Sequence, residues 1–129
     1  MNNEYSGMGE ENISWNACEI IYKVGDVPDF AYLLTTGEIE IISDKGTRVG
    51  FINEDEVFGE LSILLNTKRT VTAVALKKSK ALLIPKKNLI NDYNKTSFFI
   101  KAILRSTYMR LTNLNSTIEI DLKSLKEKA

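Results

Sequence analysis

The chain has 129 residues, 43% hydrophobic and 26% charged, which suits one globular domain with its own core rather than a disordered chain. Its 17 basic and 17 acidic side chains cancel, so no net field favours nucleic acid or an acidic membrane. It has no His, hence no usual general base and no common zinc or iron ligand, and its one Cys, Cys18, cannot close an intrachain disulfide.

Residues 1–12 are polar and acidic and read as a lead-in. They lack the basic start and apolar block of a signal peptide. No apolar run in the chain approaches the roughly 20 residues of a membrane span. With the single Cys, this predicts a cytoplasmic protein.

From about Trp15 to Pro85 the pattern is β: runs of four to eight apolar and β-branched residues separated by turn residues. Glu19 to Tyr22 is one strand, ended by Gly25-Asp26. Ala31 to Thr35 is another, ended by Thr36-Gly37. Glu38 to Ile42 alternates polar and apolar, as a half-buried strand does. Asp44-Lys45-Gly46 is a hairpin turn, and Arg48 to Ile52 returns as its partner. Asn53 to Glu56 is a polar turn. Thr70 to Leu76 and Lys80 to Ile84 are further strands, the last stopped by Pro85. Short strands at this spacing predict a sandwich or barrel.

After Pro85 the character changes. Residues 86–94 suit a short helix. Ser97 to about Ile118 contains neither Gly nor Pro. Ile100, Leu104, Thr107, Leu111, Leu114 and Ile118 are spaced four, three, four, three, four, a heptad seam. That face can pack on the β core, form a dimer contact, or do both along its length. The expected organisation is a lead-in over 1–14, a β domain with a short helix over 15–96, and a C-terminal helix and tail over 97–129.

The segment between Phe58 and Thr70 is too apolar for an ordinary loop. It holds a Gly-Glu pair and an Arg nine residues after the Glu. Gly59 allows close backbone approach. If Glu60 to Leu64 forms one helical turn, its first N–H groups have no internal partner and suit an anion. Arg69 supplies a planar fork matched to two phosphate oxygens. An ionised Glu60 accepts only, so it suits a sugar hydroxyl rather than the phosphate. A Walker loop would need GxxxxGK[ST], which is absent. The plainer alternative is that Glu60 and Arg69 pair at the surface with each other or with solvent, which contributes little.

Phe58-Gly59-Glu60-Leu61-Ser62 with Arg69-Thr70 resembles the phosphate-binding cassette of cyclic nucleotide-binding domains. Upstream, Gly25-Asp26, Tyr32-Leu33-Leu34, Gly37-Glu38-Ile39 and the Gly46 hairpin fall in that family's order. The resemblance covers about residues 15 to 85. It implies a mainly β fold with flanking α: a β-roll or jelly-roll barrel of about eight strands followed by C-terminal helices. It also implies a non-catalytic sensor of cAMP or cGMP, with no metal and no cofactor beyond that ligand. Glu60 would bind the ribose 2′-hydroxyl and Arg69 the cyclic phosphate. Leu61 and Ser62 N–H groups would complete the cradle, Gly59 would allow close approach, and Thr70 would reach the phosphate or a purine edge.

Two residues depart from the family pattern. Asp55 and Cys18 stand where Gly is common, which calls for an αL Asp at 55 and suggests a small buried residue at 18. Trp15 is expected in the core or as a lid over the N-terminal segment. A base-covering residue would come from the C-terminal helix, with Tyr108, Thr112 and Asn115 as candidates. Three other readings follow from the same residues. A degenerate copy would serve as a dimerisation or protein-interaction module, with an unidentified effector. A catabolite-activator type regulator would need a helix-turn-helix, for which the residues after Ile118 are too few and not basic. A cupin-like enzyme would need metal-binding His, of which there is none.

Overall fold

The computed structural model describes residues 11–110. Its elements are β1 (Asn12–Trp15), β2 (Ile20–Tyr22), β3 (Phe30–Thr36), β4 (Ile39–Ser43), β5 (Arg48–Ile52), β6 (Val57–Phe58), α1 (Glu60–Leu64), β7 (Val71–Ala75), β8 (Ser79–Pro85) and α2 (Lys86–Lys95). Residues 98–110 are helical. The strands form two antiparallel four-stranded sheets, ordered β1-β8-β3-β6 and β2-β7-β4-β5. This is the mainly β jelly-roll class. The turns from Gly25, Gly37 and Gly46 fall between strands as the sequence indicates, each with positive φ.

The strand β1 starts at Asn12, inside the stretch assigned to the lead-in. Only Ile13 and Trp15 carry its apolar signal, and pairing with Ser79–Leu82 supplies the rest. The two-residue β6 is likewise too short to show a period; it is fixed by pairing Val57 and Phe58 with Leu33 and Tyr32.

Burial explains the continuous apolar run in β3. Tyr32 and Leu34 face a core shared with Trp15, Tyr22, Ile39, Phe58, Ala73, Ala75, Ala81 and Leu83. Ala31 and Leu33 face the other side, against Ile63 of α1, Ile84, and Leu89 and Ile90 of α2. A strand buried on both faces loses the polar alternation of a half-buried one. β4 keeps the alternation, with Ile39 and Ile41 packed inward while Glu40 pairs outside with Arg48 at 3.0 Å.

Cys18 is exposed rather than buried, and its φ is 72°. The position demands the left-handed conformation, so its side chain turns outward while its N–H binds the Ala75 carbonyl at 2.7 Å. Asp55 adopts φ 69°, as the sequence requires of it. Trp15 is buried and edge-on to Tyr32.

The chain divides into two compact units at Asp92–Tyr93. In the second, Ser97 caps the helix: its Oγ accepts from Ile100 N–H and its carbonyl from Lys101 N–H. Phe98 and Phe99 are 79% and 78% exposed, and Ile100 and Ile103 about half exposed. Leu104 and Tyr108 are half-buried. Leu111, Leu114 and Ile118 of the seam, with Thr112 and Asn115, lie outside the described residues. Among the described residues no helix is long and apolar enough to cross a membrane.

Candidate functional site: the Gly59–Arg69 cassette

Gly59 has φ 79° and caps α1, a single turn of five residues. The left-handed cap reverses the chain directly after β6, so α1 starts at Glu60. In a turn this short the opening N–H groups lack intrahelical partners. The turn ends as compactly as it starts. Leu65 N–H binds the Leu61 carbonyl, Thr67 N–H binds the Ser62 carbonyl, and Asn66 takes φ 55°. Leu61 is half-buried, Ser62 is buried, and Ile63 anchors the turn under β3.

Arg69 is only 4% exposed. Its backbone is clamped by the β2–β3 turn: Gly25 N–H donates to the Arg69 carbonyl at 2.8 Å, and Arg69 N–H donates to Asp26 O at 2.9 Å. Its side chain donates from Nη1 to the Gly59 carbonyl and from Nη2 to the Phe30 carbonyl, each at 2.5 Å. The guanidinium carbon lies 4.0 Å from the centroid of the Tyr22 ring. That ring belongs to an aromatic cluster. Tyr22 stacks at 6.3 Å on Tyr32 and at 6.4 Å on Phe58, and Tyr32 stacks at 5.0 Å on Phe58.

Glu60 and Arg69 do not form a salt bridge with each other, so the surface-pair alternative does not describe them. Both are still close enough to interact. Burial raises the Glu60 carboxyl above its ordinary value, while its own backbone N–H and the Arg69 charge pull it down. Burial also pushes the Tyr22 phenol up to about 12, partly opposed by Arg69, so the ring stays neutral at ordinary pH.

The cassette residues therefore converge on one corner, except for Thr70. Its side chain is exposed and makes no hydrogen bond to the described residues, one residue before β7. Thr72 ties two segments together instead, its hydroxyl accepting from Val24 N–H at 3.1 Å. Sequence reasoning did not single out Tyr22, Phe30 or the clamping role of Gly25-Asp26. Tyr22 read as an ordinary strand aromatic. Phe30 acts through its carbonyl, which no side-chain pattern reveals.

The family model for the cyclic nucleotide-binding domain matches residues 13–95. The chain is 34% identical over 64 residues to isozyme 2 of a cGMP-dependent protein kinase of Drosophila melanogaster, covering 50% of this chain and 6% of the kinase. It superposes on the cGMP-bound form of the EAL enzyme Bd1971 with TM-score 0.75 and 22% identity, covering 92% of this chain and 33% of that one. It also superposes on the Thermus thermophilus catabolite activator protein with TM-score 0.72 and 20% identity, covering 91% and 56%. The chain thus spans a small fraction of the kinase and about a third of the EAL enzyme.

Proposed function

The chain belongs to the cyclic nucleotide-binding domain family, and we propose that it is a non-catalytic, cytoplasmic sensor of cAMP or cGMP. In this reading Arg69 pairs with the cyclic phosphate, and Glu60 accepts from the ribose 2′-hydroxyl. The N–H groups of Leu61 and Ser62 point at the phosphate across the gap that Gly59 leaves open. Phe58 holds the turn from below, and Thr70 adds a contact from the rim.

The observation that carries this reading is the arrangement of Arg69. It is buried beside the open end of α1 without Glu60 as its ion-pair partner. Two of its five donors are engaged by carbonyl groups, which leaves donors of the fork for an anion. A dry, pre-aimed cation binds phosphate more strongly than one on a mobile surface side chain. The EAL enzyme's cGMP-bound form and the name of the fly kinase support the same ligand class. The module of residues 15–96 would signal through the C-terminal segment that begins with the helix at residue 98, with homodimer contacts proposed at Ile100, Leu104, Leu111, Leu114 and Ile118. A ligand shifts that helix only by binding one arrangement more tightly than another.

A second reading has its own observation. Arg69 bonds to Gly59 and Phe30 and stacks on Tyr22, so it holds the corner together without any ligand. A module that only dimerises or binds an effector could keep Arg69 for this reason. Titration calorimetry with cAMP and cGMP separates the two. The sensor reading expects saturable binding that Arg69→Ala weakens by roughly 10–100-fold, the worth of a charge-assisted contact of about 1.5–3 kcal/mol. Mass spectrometry of the denatured protein would identify a nucleotide carried through purification. Binding of neither nucleotide leaves the interaction module standing.

A further inference from the structure

We infer that Tyr22 is the positioning residue for Arg69, its ring face fixing the plane in which the guanidinium meets an anionic ligand. The inference rests on the proposed contact between Arg69 and a cyclic phosphate, and it extends that site to a residue outside the cassette.

The geometry leaves a task that the carbonyl groups do not fulfil. The bonds to Gly59 and Phe30 leave the fork through Nη1 and Nη2. Two acceptors define a line, and the guanidinium can still tilt about that line as far as its flexible side-chain stem allows. A phosphate accepting two parallel bonds needs the plane as well as the position. The Tyr22 ring lies under the guanidinium at 4.0 Å and supplies the third constraint. Its π face attracts the cation, and the attraction is larger away from water.

The ring is itself held firmly. Tyr22 is 8% exposed and pairs with Ala73 in the sheet. Tyr32 and Phe58 stack against it at interplanar angles of 18° and 29°. The Gly59 backbone runs close to the ring edge, where an added Cβ would lie 3.3 Å from Cε2 of Tyr22. Trp15 packs edge-on against Tyr32 behind them. The orientation of one cation is thus carried by a column of rings reaching into the core. An aliphatic side chain at position 22 would fill much of the volume but present no negative face.

The test varies the ring face while keeping its shape. Position 22 is replaced by Phe and by a series of progressively fluorinated phenylalanines, in the full chain, and cAMP and cGMP are titrated into each. Tyr22→Phe keeps the π face and should bind within about twofold of wild type. Each added fluorine withdraws charge from the face, and affinity should fall stepwise to about 3–10-fold below Phe. The same series on an Arg69→Ala background should be flat, because Tyr22 acts through Arg69. Tyr22→Leu should match the most fluorinated ring. Urea midpoints report folding for every variant, and the near-isosteric rings keep the test intact if the Leu variant does not fold. A flat series with Arg69 present, or an equal decline in both backgrounds, overturns the role of Tyr22. Wild-type protein that binds neither nucleotide overturns the sensor reading instead.

Discussion

Gly59 and Arg69 are packed so closely that a methyl group on the Gly59 α carbon would lie 3.0 Å from Nη1 of Arg69. The φ of 79° already disfavours a side chain there, so Gly59→Ala combines backbone strain with a displaced guanidinium. Gly46 separates the two effects. Its φ is 81°, but an added Cβ meets nothing within 4 Å. Gly46→Ala is expected to cost about 1–2 kcal/mol of stability and leave nucleotide affinity unchanged. Gly59→Ala is expected to cost as much and to weaken nucleotide binding as well. At Gly37 the added carbon would lie 2.6 Å from the Ser79 α carbon, so Gly37→Ala should be the most destabilised of the three. Urea unfolding combined with calorimetry checks the order, and equal nucleotide affinity in the Gly46 and Gly59 variants would contradict it.

The sequence made the strands and cassette legible for a physical reason. Periodicity and turn residues are local, so β2, β3, β4, β5, β7, β8 and the short turn α1 could be placed from neighbours alone. β1 and β6 could not, because their pairing with β8 and β3 is long-range and their own patterns are short. At the site, Gly59, Glu60 and Arg69 carry their chemistry in their side chains or in a missing one. The carbonyl of Phe30 and the ring of Tyr22 gain a role only when residues 39 and 47 positions away from Arg69 are folded beside it. The surface ion pair between Glu60 and Arg69 was chemically reasonable from sequence. In the folded protein the Arg69 guanidinium instead meets the Gly59 and Phe30 carbonyl groups and the Tyr22 ring, with no salt bridge to Glu60.

The two departures from the family pattern, Cys18 and Asp55, both have positive φ, at 72° and 69°. Each stores the strain of an L residue in the left-handed region. Asp tolerates that region better than Cys, because its short polar side chain bonds locally. Cys18→Gly is therefore expected to raise stability by about 0.5–1 kcal/mol, the αL penalty less the extra chain entropy of Gly. Asp55→Gly should gain less or nothing. Thermal melts of both variants at one protein concentration check this, and a destabilised Cys18→Gly would show that the thiol contributes more than its exposure implies.

A homodimer through the proposed seam can be tested on its described residues. Ile100 is 47% exposed and Leu104 half-buried. Replacing both with Asp places charges where a seam would exclude water, which a desolvated contact does not tolerate. Sedimentation equilibrium should show wild-type protein as a dimer at tens of micromolar and Ile100→Asp/Leu104→Asp as a monomer, with the β unit still folded. The same mass for both proteins would remove these residues from any dimer contact.

Glu60 links folding and binding through one proton, and the two should respond to pH in opposite senses. Burial raises its carboxyl above the ordinary 4.5, against the pull of its own N–H and of Arg69. The folded state therefore holds this proton more tightly than the unfolded chain. Between 4.5 and the raised folded value the folded state binds more protons, so the Glu60 contribution to stability falls as pH rises through that window. Above the window the cost of a desolvated carboxylate is fully present; below 4.5 it is gone. Glu60→Gln removes the titration, so the variant should be more stable than wild type near pH 7 and lose that advantage by about pH 4. Binding runs the other way. The ionised carboxylate is the stronger acceptor for a ribose hydroxyl, so wild-type affinity should fall as pH drops through the same window. Glu60→Gln should bind about tenfold more weakly at pH 7, with the Glu60-dependent part of the pH response removed. Urea unfolding and calorimetry across pH 4–8 would measure both curves. A stability advantage of Glu60→Gln that grows toward acid would contradict the raised carboxyl, whereas unchanged affinity at pH 7 would remove Glu60 from the ligand.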